Sequence, residues 1–181
     1  MSVDISIKQK GFFKKELPLN VILGHHLKYG VLDGLRLEVG VLDENDFIVY
    51  NPQHIGRGIS VCIDRSKTKN VSLRLLSPTS NEELHDFYEC VERIANYWKC
   101  TLEVDGTVMS VAAFKDGFAN MCDFNSRTLK NMATEIIDED TGNLTLFSVF
   151  WPLVIGKNEA VDFIGDNSVD VFGNWLHEKN Q

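Results

Sequence analysis

One arginine of the chain is flanked by glycines on both sides, in Gly56-Arg57-Gly58 of the stretch NPQHIGRGISVCI. Such a triplet can form a nest, in which successive backbone N–H groups converge on an anion while the guanidinium adds positive charge. Paired glycines also allow the backbone angles of a tight turn without any ligand. We interpret the triplet first as a turn that leads into a strand. The candidate ligand-binding residues, should it hold an anion, are His54, Gly56, Arg57 and Gly58.

The spacing around this triplet differs from both common phosphate-binding motifs. The dinucleotide motif G-x-G-x-x-G opens a helix whose N-terminal amides face the pyrophosphate. Here Val61 stands in the place of the third glycine, and a strand pattern follows. The Gly-Lys-Ser or Gly-Lys-Thr of a P-loop does not occur. We therefore predict no nucleotide, and no other cofactor is indicated.

The paired histidines His25-His26 are the first candidates for a metal site. Adjacent residues on a helix point about 100° apart, so they cannot share one ion from one face. A third ligand would have to come from elsewhere, such as His54 or His85. His-x-x-x-His, His-Glu-x-x-His and Cys-x-x-Cys do not occur. We interpret the pair as one buried and one solvated histidine, and we predict no metal site.

Nucleophilic catalysis would require a serine or cysteine with a base nearby. The Gly-x-Ser-x-Gly elbow is absent, and the four cysteines lie at positions 62, 90, 100 and 122 without metal-binding or redox spacing. Their neighbours are largely apolar, which favours buried free thiols. We assign no catalytic residue.

The net charge of −8 is concentrated in one half of the chain. Residues 102–181 contain 13 acidic and 5 basic side chains, whereas residues 1–101 contain 13 of each. An acidic half repels phosphate backbones, so we predict no nucleic-acid binding. A basic cluster of Arg65, Lys67, Lys69 and Arg74 is interpreted as a solvated hairpin turn.

The N-terminus lacks the apolar segment of a signal peptide, and the apolar runs are too short to span a bilayer. We therefore expect a cytoplasmic protein that does not bind membranes.

Hydrophobic periodicity predicts an α+β fold. Residues 59–64 and 71–75 alternate apolar and polar side chains, as in an antiparallel hairpin. An amphipathic helix of about residues 80–99 follows, with Ser80 and Glu83 as a capping box. We predict a mostly antiparallel sheet packed by this long helix, followed by a mixed helix and strand part. We expect the whole chain to form one domain, in which residues 102–181 either join the first sheet or form a C-terminal elaboration.

Shorter elements are predicted from weaker patterns. A short helix is expected at residues 21–29, closed by Gly30, and a last helix at about residues 168–178. Asn125-Ser126 has the composition of a helix N-cap.

The stretches VYNPQHIGRGISVCI and VSLRLLSPTSNEELHDFYECVERIANYW, with SIKQKGFFKKELPLN and YGVLDG before them, resemble a known family. It is DUF4299, a domain of unknown function in cytoplasmic proteins of Gram-positive bacteria. The resemblance covers roughly residues 1–101. It implies no activity, and no catalytic residue is carried over from it.

The sequence therefore predicts a non-enzymatic protein-binding or interaction module, whose partner is another protein or a second copy in a homodimer. The basis is the lack of a catalytic pattern together with aromatic residues near predicted element edges, namely Trp98, Phe150, Trp151 and Trp175. One alternative is an acidic inhibitor or immunity-type protein for a basic partner. Another is a small anion or ligand binder, or an enzyme, that uses the Gly56-Arg57-Gly58 turn with His54 and His25 or His26.

Overall fold

The computed structural model describes residues 1–9, 15–43, 45–64, 69–138 and 142–181. These residues form ten strands and six helices. The strands are β1 (Ser2–Lys8), β2 (Lys28–Asp33), β3 (Arg36–Val39), β4 (Asp46–Tyr50), β5 (Ile59–Asp64), β6 (Asn70–Leu76), β7 (Leu102–Val104), β8 (Thr107–Met109), β9 (Asn143–Phe147) and β10 (Pro152–Gly156). The helices are α1 (Leu19–Leu23), α2 (Asn81–Trp98), α3 (Val111–Asp116), α4 (Phe118–Asp138), α5 (Lys157–Asp162) and α6 (Ser168–Lys179).

Eight strands form one antiparallel sheet in the order β3-β2-β4-β5-β6-β1-β7-β8. The predicted hairpin is confirmed, because β5 pairs with β6 and Ile63 lies opposite Val71. Strands β9 and β10 pair with each other in a second, two-stranded sheet. The predicted α+β class, with a mostly antiparallel sheet, is therefore confirmed.

Helix α2 covers one face of the large sheet. Leu84, Phe87, Val91 and Ile94 are fully buried on its inner face, where they join the apolar faces of β1, β5 and β6 in one cluster. The apolar spacing that predicted the helix is thus the spacing that buries it. The opposite face of the sheet carries small and polar side chains on its central strands, as expected when alternate residues point to opposite faces.

The C-terminal part contributes to three clusters. Tyr88 of α2 stacks on Phe114 of α3 with ring centroids 4.1 Å apart, so α3 belongs to the core of the large sheet. A separate cluster packs α4, α5 and α6 against the inner face of the β9–β10 hairpin. Its centre includes Phe163 and Phe172, whose rings meet edge to face at 5.2 Å. A third, smaller cluster around Tyr50 and Val149 joins the loop between β9 and β10 to the open face of the large sheet.

Two predictions from local patterns are wrong. The helix expected at residues 21–29 ends instead at Gly24, where φ is +60°. Arg93 of α2 donates to the carbonyls of Val21 and Ile22, which satisfies that helix end, and the following residues extend the sheet as β2. Asn125 is no N-cap, because it lies inside α4, with its amide bonded to the segment before α2. Residues 11–15 and 138–142 each contain a glycine and charged side chains, a composition that predicts turns, and they lie largely outside the described residues.

The final helix is confirmed as α6. None of the helices in the described ranges has the length and apolarity needed to cross a membrane.

Candidate functional site

The Gly56-Arg57-Gly58 turn does form a nest, and its anion is a side chain of the same protein. The amide of Arg57 donates to Oε2 of Glu83 at 2.9 Å, and the amide of Gly58 donates to Oε1 at 2.6 Å. The hydroxyl of Thr79 also donates to Oε2. The two amides that would bind a phosphate therefore bind the Glu83 carboxylate. An external anion would reach them only by displacing Glu83.

The two glycines are required by this arrangement. A Cβ atom at position 56 would lie 2.6 Å from the carboxyl carbon of Glu83. Gly58 has φ of +84°, and a Cβ there would lie 2.5 Å from Cγ2 of Ile48. Close approach explains the first glycine, and both backbone angle and close approach explain the second. The turn interpretation thus accounts for the triplet without a ligand.

Glu83 is 3% exposed, and its role differs from the predicted capping box. Ser80 accepts from the Glu83 amide at 3.1 Å, as expected of an N-cap. The Glu83 side chain, however, binds the nest instead of reaching back to Ser80. Burial raises the pKa of the Glu83 carboxyl, and the hydrogen bonds from Thr79, Arg57 and Gly58 and the Arg57 charge oppose that rise.

The Arg57 side chain links three segments of the chain. Its Nε donates to the carbonyl of Phe147 at 2.9 Å, and its Nη1 donates to the carbonyl of Pro78 at 3.2 Å. Burial lowers the pKa of Arg57 to about 10, which leaves the guanidinium charged at neutral pH. The amide of Val149 donates to the carbonyl of Gly56 at 3.4 Å. We call this set of contacts among the turn, Glu83 and the end of β9 the clasp, because it ties β9 to the N-terminus of α2.

One side of Arg57 borders an open groove of about 350 Å³. Besides Arg57, its polar lining residues are Ser77, Thr128, Asn131, Glu135 and Thr145. Arg57 thus lies at the border of an open surface.

His54 is exposed, and its ring centroid lies 6.3 Å from that of His177. Nδ1 of His177 accepts from the amide of Ile55 at 3.0 Å. His54 thus stands beside α6, whereas the guanidinium of Arg57 contacts Pro78 and Phe147. The structure brings Gly56, Arg57 and Gly58 together around Glu83 and places His54 at a different contact.

The two histidines of the pair have separate environments. His25 is exposed, and His26 is half-buried with Nε2 2.7 Å from Oδ1 of Asp86. Asn51 donates to the other oxygen of Asp86 at 3.1 Å. Together with Glu89, ligand atoms of His26 and Asp86 lie within 4.8 Å of one another, which is close enough to hold a metal ion. Both oxygens of Asp86 already accept hydrogen bonds inside the protein, so internal pairing explains the cluster.

The cysteines are free, but the predicted burial is correct only for Cys90, because Cys100 and Cys122 are half-buried and Cys62 is exposed. Cys62 is exposed because it lies on the outward face of β5, where alternation places every second residue. Its thiol hydrogen-bonds to Asp46, which with burial and the nearby Asp46 and Asp64 charges raises the pKa of Cys62 to about 11. This thiol is therefore protonated and weakly nucleophilic at neutral pH.

The described part of the basic cluster is paired with carboxylates. Nε of Arg74 lies 2.5 Å from Oδ1 of Asp4, and Lys69 pairs with Glu16. Arg65 and Lys67 lie outside the described residues.

A group of exposed aliphatic side chains lies around the edge strand β3. Leu35 is 62% exposed and Val39 is 55% exposed, and Leu32, Val41 and Leu42 are also exposed. Next to them, Arg36 and Leu37 border a small groove with Phe150 and Trp151. The group of Leu32, Leu35, Val39, Val41, Leu42 and Trp151 is called the β3 surface below.

The sequence predicts only part of this surface. Trp151 is exposed, as expected of an edge aromatic, whereas Trp98, Phe150 and Trp175 are half-buried. The aliphatic residues of the β3 surface were missed because their alternation predicts a strand with a buried face. Only Leu37 of that face is buried, since β3 ends the sheet and extends beyond the cover that Val149 and Tyr50 provide.

The fold is that of an α+β protein in which helix α2 backs an eight-stranded antiparallel sheet and the clasp links β9 to the start of α2. The chain belongs to the family described as "Domain of unknown function (DUF4299)", whose model matches residues 2–181. The match extends the resemblance of the first hundred residues to the acidic C-terminal part. A search of curated proteins and a search of solved structures gave no match.

Proposed function

We propose that this protein is a non-enzymatic protein-binding module and that the β3 surface contacts its partner. The observation that carries this proposal is the set of large aliphatic side chains, 42–62% exposed, gathered at one sheet edge beside an exposed tryptophan. Contiguous apolar surface on a folded protein favours contact with another protein, because burying it there removes it from water.

The polar groups support binding over catalysis. Glu83 is the most deeply buried carboxylate of the candidate site, and its oxygens accept from Arg57, Gly58 and Thr79. Asp86 is held in the same way by His26 and Asn51. Groups that are engaged within the fold are poorly placed to move protons to a substrate.

Site-specific photocrosslinking in the native host tests this proposal. A photoreactive residue at Leu35 or at Val41 should give discrete protein adducts, because both side chains belong to the β3 surface. The same residue at the exposed Asp123 of α4 serves as the matched control and should give none. Equal adducts from all three positions, or adducts from none, would contradict the proposal. An adduct with a basic protein whose capture is lost at high salt would instead favour the acidic-inhibitor alternative.

A second candidate function is the binding of a small anion by Arg57. The observation that favours it is the groove of about 350 Å³ bordered by a charged guanidinium and by hydroxyl and amide side chains, although the Glu135 carboxylate also lines it. Because Glu83 occupies the amides of the nest, such an anion would meet the side chain of Arg57 and not the backbone.

If Arg57 binds an anion, phosphate or a small carboxylate should raise the thermal unfolding temperature in a saturable way. Arg57→Lys should weaken that response about tenfold, because a lysine cannot present the same fork of donors. Arg74→Lys, at an exposed arginine on the sheet, is the control and should respond like the wild type. No shift across a panel of anions would remove this candidate.

A further inference from the structure

We infer that the β3 surface binds a second copy of this chain, with the two β3 strands pairing antiparallel across a two-fold axis at Leu37. This inference rests on the proposed function and names the partner of the same surface. Strand β3 ends the large sheet, and among the described residues its ladder partner is β2 alone. An edge strand presents unpaired backbone groups on its outer side, which another strand can bind.

The direction of those backbone groups follows from the pairing with β2. The amide of Gly40 donates to the carbonyl of Tyr29 at 2.9 Å, so Gly40 faces β2. In an antiparallel strand both backbone groups of a residue point to the same side, and the side alternates from residue to residue. Arg36 and Glu38 therefore face β2, while Leu37 and Val39 direct their N–H and C=O groups outward. A strand pair centred on Leu37 uses those outward groups.

The side chains of the segment match themselves in this register. With Leu37 opposite Leu37 of the other copy, Arg36 lies opposite Glu38 and Leu35 lies opposite Val39. The two Arg–Glu pairs fall on one face, and the exposed aliphatic side chains of Leu35 and Val39 meet on the other. A segment that is complementary to itself produces a closed dimer with identical surfaces on both copies.

The opposite edge of the sheet is a poorer partner for β3. Strand β8 contains Thr107, Val108 and Met109 and carries no charge to match Arg36 or Glu38. Pairing of β3 with β8 of another copy would also be head to tail and would grow into open assemblies. The charges therefore favour β3 against β3.

Sedimentation of the full chain tests the inference directly. The wild type should form a dimer that stops at two copies, over a range of about 1–100 μM. Arg36→Glu and Glu38→Arg should each weaken this self-association about tenfold, because like charges then lie opposite each other twice. An equimolar mixture of the two variants should associate again, since the two carboxylates of the first variant then face the two guanidinium groups of the second. Circular dichroism of each variant checks that it is folded.

A wild type that stays monomeric over that range would overturn the inference, as would single variants that dimerise like the wild type or a mixture that fails to restore association. Growth into larger assemblies would also overturn it. These outcomes leave the protein-binding proposal standing if crosslinks at Leu35 identify a different protein, so the two failures are distinguishable.

Discussion

Glu83→Ala should lower the free energy of unfolding by about 3–5 kcal/mol, because it removes the acceptor of three hydrogen bonds and each unsatisfied buried group costs about 1–3 kcal/mol. The substitution leaves the amides of Arg57 and Gly58 without their acceptor and leaves the Arg57 guanidinium without its counter-charge. Glu83→Gln keeps the size of the side chain and one acceptor oxygen. It replaces the other oxygen with an NH₂ group, which then faces a hydrogen-bond donor where an acceptor is needed. Its expected cost is about 1–3 kcal/mol, that of one unsatisfied buried group.

Chemical unfolding at neutral pH measures both costs, and Glu82 offers a matched control. Glu82 precedes Glu83 in the first turn of α2 but is exposed. Glu82→Ala should therefore cost less than about 1 kcal/mol, the size of a surface charge effect at a helix N-terminus. Equal costs at positions 82 and 83 would show that the clasp does not stabilise the protein.

The pH dependence of the Glu83→Gln effect has a defined sign. Burial raises the pKa of Glu83, so the folded chain holds the proton more tightly than the unfolded chain. The stability that comes from this proton is fully present below the unfolded pKa of about 4.3 and is lost as the pH rises through the folded pKa. Glutamine does not titrate. The difference in unfolding free energy between the wild type and Glu83→Gln should therefore be larger at about pH 4 than at about pH 7. A difference that grows toward neutral pH would show that the hydrogen bonds and Arg57 outweigh burial.

Elements whose burial is periodic could be predicted from the sequence. The hairpin of β5 and β6 follows from strict alternation, and α2 follows from apolar residues at helical spacing after an N-cap serine. Both patterns record a single buried face, which local sequence displays directly. The helix predicted at residues 21–29 is wrong because the end of α1 is set by a distant group, the guanidinium of Arg93.

The sequence predicts only part of the candidate site, for a related reason. The glycines of the triplet indicate an unusual backbone, and that indication is correct. Nothing local shows that the anion in the nest is Glu83, which is 25 residues from Gly58 in sequence. Glu83 also matches a capping-box pattern, which predicts that its side chain bonds back to Ser80. In the tertiary structure that side chain binds the nest instead. The β3 surface was missed because alternation shows that a face is apolar and not whether another element covers it.

The clasp continues into a second polar contact, and together they form one connected network. Thr79 donates its hydroxyl to Glu83 and its amide to Oδ1 of Asn125 on α4. Nδ2 of Asn125 in turn donates to the carbonyl of Thr79 at 2.8 Å. Helix α4 is thereby attached to the start of α2 by the same residue that supports the nest. Substitutions at Glu83 and Asn125 should therefore be non-additive in a double-mutant cycle.

Asn125→Ala should lower the free energy of unfolding by about 2–4 kcal/mol, although alanine favours the helix in which it lies. Thr79 is fully buried, and the substitution leaves both its N–H and its C=O without partners. The hydroxyl of Ser77 also loses its acceptor. Asn131→Ala on the exposed side of the same helix is the matched control, and it should leave stability unchanged or raise it by about 0.5 kcal/mol. Chemical unfolding of the two variants gives the comparison directly. If both changed stability alike, the attachment of α4 would depend on its apolar face alone, and the polar network would have no measurable part in holding the two cores together.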